Sequence, residues 1–240
     1  MKKEENLIED FKRALISTIK SISQEKDCEV KFDNSEANDG KNVSLPDLKK
    51  LENFEDVLNI RAIADSEALR LKYSDKEVFN LHKPSGRIAE KLYKIAEKIR
   101  YEKLGSDEFK GVEKNISTAF EIYLRNNKKK QSIIKNKKEV LIEDRFYTYL
   151  RSIIFKREKN IKKKFENKFS KKDFEKNFKK EIDRLRDNIK NQHVYSQIIS
   201  KIISNIDLKD NENIKEDNLD KERFENIESS NQDKQDGDTG

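Results

Sequence analysis

Leu7, Phe11, Ala14, Leu15, Thr18, Ile19 and Ile22 recur every three or four residues, which predicts an amphipathic helix over residues 5–23 with one buried stripe. The pattern then changes period. Cys28–Phe32 alternates, and Asn42–Leu45 alternates again before Pro46, predicting one small β-hairpin near residues 28–45, the sole β candidate. A lone hairpin is marginal in water, so this one must pack on helices. Asn53 is placed to cap a helix running to about Tyr73, whose inward positions are Phe54, Val57, Leu58, Ala64, Ala68, Leu69 and Leu71. Asp75 is placed to cap a short helix ending near His82, which Pro84-Ser85-Gly86 interrupts. Ile88, Leu92, Ile95, Ala96 and Ile99 form the next stripe, with Gly105 as its expected left-handed stop.

Three more stripes follow Val112, Ile116, Phe120 and Tyr123. One is Val140, Leu141, Phe146, Leu150, Ile153 and Ile154. Another is Phe174, Phe178, Ile182, Leu185 and Ile189, behind the capping-box pattern Ser170-Lys-Lys-Asp173. The last is Val194, Ile198, Ile199, Ile202 and Ile203, and beyond Asp207 polar residues dominate. The expected fold is therefore mainly α: a multi-helix domain over residues 1–206 with a small β-hairpin, then an acidic disordered tail over 207–240.

Composition supports that reading. Six glycines and two prolines in 240 residues are too few turn formers for a sandwich or barrel. Hydrophobic residues make up 33%, a lean core, and charged residues 42%. One cysteine and two histidines cannot build a zinc site of four Cys or His ligands. Cys28 reads as a small buried residue, His82 as a helix-end residue whose cationic form would suit the last carbonyls, and His193 as a surface or cap residue. No apolar run reaches the length of a bilayer span and the N-terminus lacks an apolar signal core, so the expected location is cytoplasmic.

The net charge of +6 conceals an asymmetry. Residues 207–240 hold 12 acidic and 5 basic residues, whereas residues 125–180 hold 21 basic and 7 acidic. Lys128–Lys130, Lys137, Lys138 and Lys162–Lys164 would be the phosphate contacts of a basic helical nucleic-acid-binding protein, the alternative reading. Abundant Lys, Ile and Asn with little Ala also fit an AT-rich coding sequence in which Lys fills any solvated position. No Walker loop, dinucleotide glycine pattern or nucleophile elbow occurs; Gly105 and Gly111 are one residue too far apart for the first. Glu97 and Glu102 are five apart and do not share a helix face, so no self-contained catalytic centre, metal site or cofactor site is predicted.

One region carries a resemblance. Leu45-Pro46, Arg61-Ala-Ile-Ala-Asp65, Ala68-Leu-Arg-Leu-Lys-Tyr-Ser-Asp75, Leu81-His-Lys-Pro-Ser-Gly86, Glu97-Lys-Ile-Arg-Tyr-Glu-Lys-Leu-Gly105, Gly111-Val112 and Asn115 together resemble the N-terminal region of the cobaltochelatase T subunit (CobT) family. The match is sharpest over residues 45–116 and looser over 165–206. Lys98 stands where the family has Gln, Ile99 and Lys103 where it has Ala, Phe109 where it has Met, and Ser74 where His is common. The family's von Willebrand A-type domain with its Asp-x-Ser-x-Ser metal motif is missing, so the resemblance implies a fragment ending in the acidic linker.

The resemblance further implies a non-catalytic subunit of an ATP-dependent ligase complex that inserts cobalt(II) into hydrogenobyrinic acid a,c-diamide in aerobic cobalamin (vitamin B12) biosynthesis. Its partners would be an AAA+ ATPase S subunit and a large N subunit that holds the tetrapyrrole. The complex would use ATP, Mg2+ and Co2+, with none of them bound by this chain, and neither membrane nor nucleic acid would take part. Within the matched helices Glu97 and Arg100 are three apart and can pair, while Glu102 faces elsewhere. Arg61, Asp65, Arg70, Glu97, Arg100 and Glu102 are accordingly expected to form a polar network between two helices or a surface for docking a partner subunit.

Overall fold

The computed structural model describes residues 2–33, 40–48, 53–133, 142–155 and 171–206. Eight helices and two short strands occur among them, in the order α1 (Lys2–Ser23), β1 (Val30–Phe32), β2 (Val43–Leu45), α2 (Phe54–Tyr73), α3 (Lys76–His82), α4 (Arg87–Glu108), α5 (Lys110–Ile133), α6 (Ile142–Ile154), α7 (Lys171–Asp187) and α8 (Gln192–Ser204). These elements belong to one unit, Met1–Asn205, and Ile206–Gly240 form a second. The acidic tail expected over 207–240 lies outside the described residues.

The local signals act as the sequence suggests. Asn53 accepts from the Glu55 amide at 2.9 Å and starts α2, while Asp75 accepts from the Glu77 and Val78 amides at 2.8 and 3.1 Å and starts α3. Asn191 does the same for α8 through the Val194 amide at 3.2 Å. Gly86 precedes α4 with a φ of 101°, a conformation that an L side chain resists.

Helix α2 is the hub, packing against α1, α4, α5 and β2. Its buried Ala62, Ala64 and Ala68 let neighbouring helices approach closely. Leu15 and Ile19 of α1 meet Ile60, Ala64 and Ala68 of α2, with Cys28, Val43, Leu45 and Leu48 closing the same cluster. On the other side Leu69 joins Tyr101 of α4 and Val112 and Ile116 of α5.

Leu7 and Phe54, expected on inward faces, are 56% and 74% exposed, and two expectations about the backbone also require correction. The strands do pair, but in parallel, with Val30 beside Val43, Lys31 beside Ser44 and Phe32 beside Leu45, so they do not form a hairpin. A parallel crossover usually needs a dozen or more residues. Strands of three residues span only about 10 Å, so the connecting segment, which could extend roughly 30 Å, returns the chain to the start of β1. Gly105 does not stop α4. The helix continues to Glu108, and the Phe109 amide donates to the Gly105 carbonyl at 2.8 Å. A Cβ at position 105 would lie 2.7 Å from Cγ of Leu69 and closer still to both of its methyl carbons. Glycine is thus required there for the contact between α2 and α4, with its left-handed freedom unused.

Further along, α7 is bent at Phe178, whose φ of −122° and ψ of 15° are not helical, and Ile189 lies past its end. Ser170 of the capping pattern lies outside the described residues, as do Val140 and Leu141 of the α6 stripe.

Candidate functional site

Helix α4 carries its charges inward in two places. At the first, Arg100, 1% exposed, lies beside Glu97 one turn earlier. The pair is bidentate, with Nε to Oε2 and Nη2 to Oε1 both at 2.8 Å. Ser74, just past the end of α2, donates to Glu97 Oε1 at 2.7 Å, and Arg100 Nη2 also donates to the Tyr73 carbonyl. Arg100 Nη1 reaches toward the Ile189 carbonyl at 3.5 Å.

Helix α8 covers this cluster. Tyr195 donates to the Ala96 carbonyl at 2.9 Å, and burial pushes its hydroxyl pKa far above the usual phenol range. Gln192 holds both backbone groups of Asp75, accepting from its amide at 2.7 Å and donating to its carbonyl at 3.0 Å. The turn between α2 and α3 is therefore clamped from α4 and α8 together.

At the second place Glu102, 3% exposed, accepts from Ser66 of α2 at 2.8 Å and pairs with Arg151 of α6. The Arg151 guanidinium lies 4.7 Å from the Phe120 ring centre, 4.2 Å from that of Phe155 and 5.8 Å from that of Tyr147. A buried guanidinium thus meets one carboxylate and three aromatic faces, the environment that favours its weakly hydrated charge. Tyr147 is itself pushed above its ordinary pKa by burial, then by the charge of Glu102.

Asp65 is a separate case. It is 1% exposed and accepts from Asn115 Nδ2 at 2.7 Å, a neutral partner. Burial holds its pKa above the ordinary aspartate value, with the Asn115 bond and the charge of Arg61 only partly opposing.

The six residues singled out from the sequence do not form one network. Glu97 and Arg100 share one cluster, Glu102 belongs to the other, and Asp65 lies against α5. Arg61 is exposed. Arg70 pairs with Glu67 at 2.7 Å and donates to the Gly40 and Asn42 carbonyls, both at 3.2 Å, so it pins the segment that leads into β2. Glu97 and Arg100 do pair across one turn and Glu102 does face elsewhere, but all three are buried, so the solvated charged face that helical spacing also allows is not what forms.

Arg151, Ser66 and Gln192 escaped the sequence reading, and Ser74 and Asn115 enter it only as positions of the family pattern, with no structural role. For Arg151 a signal existed: it follows Tyr147 and precedes Phe155 by four residues, which places a cation on an aromatic stripe. Cys28 is buried in the α1 and α2 cluster, and burial raises its thiol pKa, the opposite of what a thiolate nucleophile needs. His82 and His193, 111 positions apart, have their ring centres 4.4 Å apart. Burial lowers the pKa of His82, and the charge of His193 adds to that, so the cationic helix-end role expected for His82 is opposed. Lys128–Lys130, Lys137, Lys138 and Lys162–Lys164 fall outside the residues whose side chains are described.

Chemically this arrangement is cohesive. Glu97 and Glu102 are each held by an arginine and a serine, and among the described residues no group of three or more His, Cys, Asp or Glu is placed to hold a metal ion. None of the described helices is long and apolar enough to cross a membrane. No solved structure matches the chain significantly. A family model described as "Cobalamin biosynthesis protein CobT" matches residues 5–240.

Proposed function

Because this chain belongs to the CobT family of cobalamin biosynthesis proteins, matched from residue 5 to residue 240, we propose that it acts as a non-catalytic subunit of an ATP-dependent cobaltochelatase. In that complex it would work with an AAA+ ATPase S subunit and a large tetrapyrrole-holding N subunit in the cytoplasm, cobalt(II) and the corrin ring being substrates and ATP with Mg2+ the fuel. Stripping water from a divalent ion and deforming a macrocycle both cost free energy, which gives a motor its purpose. A subunit passing conformational work from motor to insertion site must resist deformation. The observation that carries this role is the way α2, α4 and α6 are tied by buried charges: Glu97 and Arg100 hold the end of α2, and Glu102 with Arg151 joins α6. Such clusters have discrete partners and do not slide gradually.

Reconstitution tests the reading. The purified chain, mixed with S and N subunits, ATP, Mg2+, Co2+ and hydrogenobyrinic acid a,c-diamide, is expected to co-elute with the S subunit and to hydrolyse no ATP alone. Failure to associate with the S subunit, or ATP turnover by the isolated chain, rejects it. Strong salt-sensitive retention on DNA without affinity for the ATPase would favour the nucleic-acid alternative.

A further inference from the structure

The chain has only two histidines, and the fold brings them into ring contact from different helices, His82 ending α3 and His193 opening α8. A residue touches roughly 6–12 others, so two given residues in a chain of 240 meet on the order of a few times in a hundred. Their rings are 4.4 Å apart at 77°. His82 Nε2 is closed off from solvent and makes no hydrogen bond, and an orphaned buried polar atom of this kind calls for a partner. His193, by contrast, is exposed, so its ring can turn about χ2 without disturbing the core. The surrounding backbone is fixed: Ser200 of α8 donates to the His82 carbonyl at 2.5 Å, and Tyr93 of α4 donates to the Phe79 carbonyl at 3.1 Å.

We propose that His82 and His193 form a two-imidazole site for a single borderline divalent transition-metal ion, with solvent filling the remaining coordination positions. Two imidazoles bound cis to one ion at about 2.0–2.1 Å place their ring centres about 4.5 Å apart at a right angle and about 5.2 Å apart at the tetrahedral angle, so the 4.4 Å already present needs only a small turn of the His193 ring. Imidazole suits zinc, nickel and copper(II) and discriminates against magnesium and calcium, which take oxygen ligands. Metal binding would fasten α3 to α8, since each helix contributes one ligand. The site is independent of the proposed cobaltochelatase role.

Isothermal titration of the full-length protein with Zn2+ alone tests the assignment. One ion per chain is expected in the micromolar range, unaffected by a hundredfold excess of Mg2+, and weakened at least tenfold by either His82→Ala or His193→Ala. Circular dichroism verifies that each variant is folded. His193→Ala alters an exposed side chain, so the test stands even where His82→Ala unfolds. Absence of saturable binding, binding that survives His193→Ala, or displacement by Mg2+ overturns the proposal, the last pointing to carboxylates.

Discussion

Removing Arg151 would leave the buried Glu102 without its close cation, with the Ser66 hydroxyl at 2.8 Å and the partly exposed Lys98 ammonium at 3.9 Å as its remaining partners. Breaking a buried pair from one side costs about 3–5 kcal/mol, whereas replacing both charges is often neutral. Arg151→Met is therefore expected to lower stability to denaturant by that amount, and adding Glu102→Gln to recover most of it; a chemical-denaturation double-mutant cycle measures both. Asp65 behaves oppositely. Its folded-state pKa is raised, so the native chain binds the proton more tightly than the unfolded one. Stability falls as pH rises from about 4 through the folded pKa, and the penalty is complete above it. Asp65→Asn keeps the Asn115 hydrogen bond through its amide oxygen. It should raise the melting midpoint at pH 7 and flatten that part of the pH profile, as thermal scans from pH 4 to 8 would show. Little of this was legible beforehand. In a chain with 42% charged residues most charges are solvated, and nothing local marks Glu102 as the one that meets an arginine 49 positions later.

The glycines of α4 and α5 show how far an element can be read from its own residues. Gly105 reads as a helix stop because glycine serves both stops and close approaches, and only the position of Leu69 distinguishes the two. Gly105→Ala should cost about 1–3 kcal/mol through overpacking against Leu69. Gly111→Ala meets open space and should gain up to about 1 kcal/mol. Equilibrium unfolding of the two variants gives opposite signs if this distinction holds. Helix starts were legible at Asn53 and Asp75 because a cap is made within four residues of chain. Strand direction was not, since it depends on contacts distant in sequence: Val43 and Leu45 pack into the cluster of α1 and α2, and Arg70 holds Gly40 and Asn42.

Across the whole molecule, the mainly helical class and the run of stripes could be read directly, and the residues of positions 45–116 identified the family that the match over 5–240 shows. What closes the fold could not. Helix α8 buries Ile198, Ile199, Ile202 and Ile203. At about 1.5–3 kcal/mol each, these four side chains supply roughly 6–12 kcal/mol, comparable to the entire stability of a domain. A chain ended at Asn191 is therefore expected to lose its cooperative calorimetric transition. That dependence has a temporal side. Arg100 is synthesised long before Tyr195, the residue that covers it from α8. At about 5–20 residues per second, the ribosome needs roughly 5–19 seconds to make the stretch between them. Throughout that interval the nascent chain carries an unfinished charged seam, with Glu97 one turn away as its partner within reach, so a chaperone bound over α4 would have a defined moment of release: the emergence of α8.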